Sequence, residues 1–169
     1  DDTWCFFARV NSFYYLEPHH SDTVMQLPDG AFAPEQGQGR VTGNNVASWQ
    51  PGAYDWYETV KLNYGSDYRH GSHAAEALPS LLAPEYALPR TWQLMNEVLA
   101  YWQDMGVGGF RCDMAHMVPL PFWRWIIAHA RLRDSSAFFM AEGYDDHLKL
   151  IEGPVHEALL AAGFNGVYD

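Results

Sequence analysis

The chain has 169 residues, 48% of them hydrophobic and 15% aromatic, and a net charge of −11. That apolar content suffices for one ordinary domain core, and the acidic balance without any Lys/Arg cluster argues against a nucleic-acid or anionic-membrane surface. No apolar run is long enough to span a bilayer, and the two cysteines, Cys5 and Cys112, give no disulfide framework. In chain order, residues 1 to about 90 read as an irregular segment. Phe13 to Leu16 has the composition of a short strand, after which Pro, Gly, Asn and Asp recur through residue 55 and signal turns. A loop region of this length is expected to be functional and to belong to a larger fold. Its aromatics, Trp49, Tyr54, Trp56, Tyr57 and Tyr64, argue against disorder. Aromatic faces on loops suit stacking against sugar rings, which makes Trp49 and Trp56 candidates for substrate contact.

Regular periodicity begins near Pro89 and defines a second region, residues 91–169. Thr91 is placed as an N-cap, with Trp92, Met95, Leu99 and Trp102 at helical spacing and Leu94, Val98 and Met105 widening the stripe. Gly106 closes this helix. A strand runs to Asp113, and a helix begins at Pro119 and carries Phe122, Trp123, Ile126, Ile127 and Ala130. Trp123 and Trp125 on that helix are assigned to packing. A strand over 137–142 ends in Glu142. A helix, in two pieces around Gly153-Pro154, extends to about Ala162, and a third strand follows over 163–169. Alternating strands and helices with short connections predict a parallel sheet: an open three-stranded unit or, preferred here, a segment of a (β/α)8 TIM barrel.

Arg111 and Asp113 are two residues apart and share one strand face, with Phe110 and Cys112 on the other. A structural ion pair would explain them in isolation. A second carboxylate, Glu142, ends the next strand, and parallel β/α enzymes carry catalytic groups at the C-terminal ends of their strands. The eight histidines show neither His-Glu-x-x-His nor a Cys-x-x-Cys companion; His19, His20, His70 and His73 fall in loops, so metal catalysis is not expected. The glycines at 106, 108 and 109 precede a strand, unlike a dinucleotide-binding turn.

The run Gly109-Phe110-Arg111-Cys112-Asp113-Met114-Ala115-His116-Met117-Val118-Pro119 resembles the fourth-strand motif of the α-amylase family (family 13 glycoside hydrolases). Phe139-Met140-Ala141-Glu142-Gly143-Tyr144 resembles that family's fifth-strand motif. Val60-Lys61-Leu62-Asn63-Tyr64 resembles the shorter motif late in its loop domain. The resemblance implies that Asp113 is the nucleophile, Glu142 the general acid/base, Arg111 the residue that holds the nucleophile, and His116 a sugar contact on the leaving-group side. By position alone, Tyr144 and Asp145 just past Glu142 read either as lining the same side or as neutral surface-loop residues. The chemistry agrees: retaining glycosidases need two carboxyls about 5–5.5 Å apart, and adjacent strands lie about 4.8 Å apart. Arg111 would keep Asp113 ionised, while Glu142, after an apolar strand and near that charge, is expected to hold a proton until it donates.

The expected fold is thus a partial (β/α)8 TIM barrel, about strands 4 to 6 with their helices, preceded by an irregular segment like the family's domain B. The expected activity of the intact protein is retaining hydrolysis of α-1,4-glucosidic bonds in starch or maltooligosaccharides, with this piece inactive alone. The alternatives are an α-glucan glycosyltransferase or isomerase using the same nucleophile, and, from another class, a non-catalytic glucan-binding barrel. The expected partner is an α-glucan, with no nucleic acid and no membrane. No cofactor is expected. Calcium, common in the family, is disfavoured because Lys61 stands where the family often has an aspartate, and a lysine cannot ligate calcium.

Overall fold

A computed structural model describes residues 2–17, 24–31, 39–70 and 88–169. The chain forms two compact units, Asp1–Gly65 and Ser66–Asp169. The division falls at residue 65, whereas regular periodicity in the sequence starts near 90.

The first unit has no strand among its described residues. Its backbone meets in three isolated antiparallel bridges, Phe13 with Leu62, Tyr15 with Arg40, and Thr42 with Val60. The strand expected at 13–16 is therefore two single bridges to different partners rather than a ladder. Phe6, Tyr14, Tyr15, Leu16 and Val41 are buried, and so are the polar residues Asn11, Thr42 and Asn63. These polar side chains take the place of ladder hydrogen bonds. Asn11 donates from Nδ2 to the Thr3 carbonyl and accepts the Thr3 N–H, both at 2.7 Å. Asn63 donates to the Ala8 carbonyl at 2.9 Å and accepts the Gly65 N–H at 2.8 Å. Loop backbone can be buried only when its polar groups are satisfied, and here side chains do so.

The second unit is α/β. Its elements are α1 (Arg90–Asp104), β1 (Gly109–Cys112), α2 (Leu120–Arg133), β2 (Phe138–Glu142), α3 (Val155–Ala162) and β3 (Gly166–Tyr168). The strands form one parallel sheet in the order β1-β2-β3. Thr91 is not the cap of α1: Pro89 is, and Thr91 is buried in the first turn. The C-terminus follows expectation. Gly106 has φ +92°, its N–H meets the Gln103 carbonyl at 2.9 Å, and the Val107 N–H meets that of Trp102 at 2.9 Å, a Schellman closure. Helix α3 consists of the second expected piece only; Pro154 caps it, and residues 143–154 form a loop.

The core lies between the sheet and α2. Phe122, Trp123, Trp125, Ile126, Ile127 and Ala130 are all buried, as the packing assignment of Trp123 and Trp125 requires. Trp92 from α1 meets Phe122 and Trp125 with ring centroids 5.6 and 5.5 Å apart. Of the rest of the α1 stripe, Met95 and Leu99 are half-buried, and Leu94, Val98, Trp102 and Met105 are exposed, as is the neighbouring Tyr101. At the exit of β2 the backbone of Gly143 is packed against α3: a Cβ there would lie 2.8 Å from the Leu159 and 3.1 Å from the Val155 side chain, which would have to shift.

Candidate active site

Strand register brings the acids together. Cys112 pairs with Ala141, and Ala141 pairs with Val167. The next residues along the three strands are Asp113, Glu142 and Tyr168, one level at the C-terminal end of the sheet. A single guanidinium reaches both acids. Arg111 bonds Asp113 Oδ1 through Nη1, and Nη2 lies 3.0 Å from Glu142 Oε2. Its Nε donates to the Tyr168 hydroxyl at 2.7 Å. The Arg-x-Asp pair is not buried. The side chains of Arg111 and Asp113 are 48% and 66% exposed, so the polar face of the sheet is open and bears little desolvation cost.

Glu142 differs from the expectation of a protonated acid. Its Oε1 accepts the Tyr144 hydroxyl at 2.7 Å, and its Oε2 accepts the Met114 N–H at 3.1 Å. These donors, the Tyr144 hydroxyl first and the Met114 N–H second, with the Arg111 charge adding to them, hold its pKa below the usual carboxylate value. Hydrogen bonds to the charged form outweigh burial. The Tyr144 hydroxyl is correspondingly pushed up, first by its bond to Glu142. Cys112, on the covered face, is raised to about 12 by burial, which makes it a packing residue rather than a nucleophile.

The backbone after Asp113 is built around this geometry. Met114 is left-handed, φ 47° and ψ 41°, a conformation that costs a non-glycine residue about 1–2 kcal/mol. That turn aims its N–H at Glu142. A short 3-10 turn over Ala115–Met117 follows, and the buried Trp123 indole donates to the Ala115 carbonyl at 2.9 Å. The core helix α2 thereby fixes the loop that carries the first acid.

No protein-family model matches the chain. Curated relatives do. The chain is 42% identical over 98 residues to the alpha-1,4-glucan:maltose-1-phosphate maltosyltransferase of Pseudomonas aeruginosa, covering 57% of this chain and 13% of that protein. It is 31% identical over 98 residues to the protein of the same name from Burkholderia pseudomallei, covering 56% and 8%. It is 34% identical over 77 residues to that of Rhodospirillum rubrum, covering 46% and 10%. The chain thus spans about a tenth of the length of these maltosyltransferases.

The remaining candidates fall in different places. His116 has no exposed surface and stands behind Tyr144, with ring centroids 5.2 Å apart, so in this structure it offers no face to a sugar. Asp145 is exposed and pairs with Lys149. Trp49 and Trp56 belong to the first unit, where Trp49 is half-buried against Gly39 and Trp56 is 37% exposed. His19, His20 and His73 lie outside the described residues. Among the described residues no group of three or more His, Cys, Asp or Glu could hold a metal ion, and no helix is long and apolar enough to cross a membrane. Lys61 is buried, its ammonium 6.0 Å from the Tyr14 ring centroid, and burial lowers its pKa to about 8. It is still mostly charged at pH 7, and a buried ammonium does not fit a calcium-binding position. Tyr168 is the site residue that sequence reasoning missed. Counting it as the third strand's counterpart of Asp113 and Glu142 would have found it.

Proposed function

We propose that this chain is the piece of an α-amylase-family enzyme that carries its nucleophile and its general acid/base, and that the intact enzyme transfers glycosyl groups to an α-glucan. The observation that carries the reading is Arg111 joined to both Asp113 and Glu142 at the C-terminal end of a parallel sheet. In the reaction, an Asp113 oxygen attacks the anomeric carbon of the donor as the bond to the leaving group breaks. This gives a covalent glycosyl-Asp113 with inverted configuration. A glucan hydroxyl then attacks the same carbon, Glu142 takes its proton, and the Asp113 carboxylate is released. Two inversions give net retention.

Transfer is preferred here over the hydrolysis expected first, because the relatives bear the name of maltosyltransferases. The donor by this reading is a maltosyl phosphate and the acceptor an α-1,4-glucan. An ionised Glu142 suits such a donor. Phosphate leaves without needing a full proton, and a carboxylate is the right partner for an incoming hydroxyl. A larger barrel around these strands is supported by the exposed apolar residues of α1 and by the open polar face. The reading includes no calcium beside Lys61; one equivalent retained by the intact enzyme on dialysis and lost in Asn63→Ala would count against that.

The test is incubation of the intact enzyme with maltose 1-phosphate and a maltooligosaccharide of defined length. Phosphate release with lengthened products, both absent in Asp113→Asn, is the expected result. Shortened products without phosphate would return the enzyme to the hydrolases. Binding without any product would favour the glucan-binding barrel.

A further inference from the structure

We propose that Tyr144 is the positioning residue of Glu142, its hydroxyl fixing the one carboxyl oxygen left free to exchange a proton, and that the buried His116 holds Tyr144 in place. The inference rests on the reading of Glu142 as the proton-transfer group.

The two oxygens of Glu142 are not equivalent. Oε2 is occupied by the Met114 N–H at 3.1 Å and by Arg111 Nη2 at 3.0 Å, both of which only donate. A proton on Oε2 would face donors on both sides. Oε1 accepts the Tyr144 hydroxyl at 2.7 Å, and a hydroxyl both donates and accepts. Tyr144 can therefore donate to Oε1 when Glu142 is ionised and accept from it when Glu142 is protonated. In the transfer step the acceptor hydroxyl gives its proton to Oε1 as its oxygen bonds the anomeric carbon and the ester to Asp113 breaks. The Tyr144 O–H turns from donor to acceptor at the same moment, so Oε1 keeps its partner in either state.

His116 explains why Tyr144 stays there. It is fully buried, and the preceding mechanism gives it nothing to do. Its Nδ1 lies 3.3 Å from the Tyr144 N–H and accepts from it, its ring stands edge-on to Tyr144 at 76°, and its carbonyl accepts the Leu150 N–H at 2.8 Å. With Nδ1 accepting, the ring proton sits on Nε2, which faces Asp146 Oδ2 at 3.6 Å. His116 thus ties the loop after β2 at two points, Tyr144 and Leu150. The charged and titratable groups around Glu142 are Arg111 and Asp113 from β1 and its exit, Tyr168 from β3, Tyr144 from its own exit, and His116 with Asp146 behind Tyr144.

The experiment is a carbon-13 titration of the Glu142 carboxyl in the intact enzyme and in Tyr144→Phe, with Glu142→Gln identifying the resonance. The midpoint moves to higher pH in Tyr144→Phe, because the donor that favours the ionised form is gone. In turnover, kcat falls about tenfold to a hundredfold, KM changes little, and the limb of the pH profile set by Glu142 shifts the same way. An unchanged midpoint overturns the proposal whatever kcat does, and a moved midpoint with unchanged kcat overturns the positioning role. If the midpoint moves but the wild-type enzyme transfers no glycosyl group, the link from Tyr144 to Glu142 stands and the reaction assigned to the site falls. His116→Ala shifts the midpoint like Tyr144→Phe, and His116→Asn, which keeps an acceptor for the Tyr144 N–H, does not. Equal midpoints in His116→Ala and wild type overturn the part given to His116.

Discussion

The two faces of the parallel sheet use the same three strands for opposite purposes. On the covered face Phe139 is buried among Phe110, Phe164 and the Arg131 guanidinium, and Ala141 has no exposed surface. On the open face Arg111, Asp113, Glu142 and Tyr168 form one hydrogen-bonded constellation, with the Asp113 carboxylate largely in solvent. The covered face holds its strands through apolar area removed from water, and the open face holds side chains through directional polar bonds. Stability and chemistry should therefore separate by residue parity along each strand.

The largest effect should come from the open face. Asp113→Asn and Glu142→Gln in the intact enzyme should each lower turnover by on the order of 10³-fold or more, with the melting temperature changed little. Melting far below wild type in either variant would mean that the acids hold the sheet together, and the comparison would fail. Three positions before Glu142 on β2, on the covered face, the opposite outcome is expected. Phe139→Ala should cost about 3–5 kcal/mol in denaturant unfolding, while the folded fraction keeps its activity. Loss of activity without loss of stability there would break the separation from the other side.

A smaller effect tests the edge of the covered face. Asn165 Oδ1 accepts the Phe139 N–H at 2.9 Å and the Arg131 Nη2 at 2.7 Å. Asn165→Ala leaves that strand N–H without its partner and should cost about 1–3 kcal/mol. The smallest effect is the pH dependence of the open face. Folding lowers the pKa of Glu142 from its ordinary value near 4.5, so the unfolded chain binds the proton more readily. Its contribution is then fully present above about pH 4.5 and is lost as pH falls through the lower folded value. The difference in melting temperature between wild type and Glu142→Gln should accordingly narrow between pH 7 and pH 3. A gap that widens on acidification would reverse the sign assigned to Tyr144 and Met114.

The order of helices and strands in the second unit was legible because apolar periodicity and chain-breaking residues are local. Trp92 to Trp102, the Gly106 closure, Pro119 and the strand ending in Glu142 each carry their signal within a few positions. The alternation of Arg111 and Asp113 with Phe110 and Cys112 identified the two faces for the same reason. The sequence also determined which two carboxylates stand at strand ends. It did not determine their surroundings, which depend on register between strands and on loops folding back. The Tyr168 contact needs β3 aligned beside β2, and the Met114 N–H needs a left-handed residue that nothing in its side chain announces. The ionised state of Glu142 is not legible in the sequence, because an apolar strand suggests burial, whereas the hydroxyl and amide that outweigh burial are set by three-dimensional position, and so is the burial of His116. The first unit is the extreme case: its order rests on single bridges and on Asn11 and Asn63 satisfying distant backbone, contacts with no period, which only the tertiary structure decides.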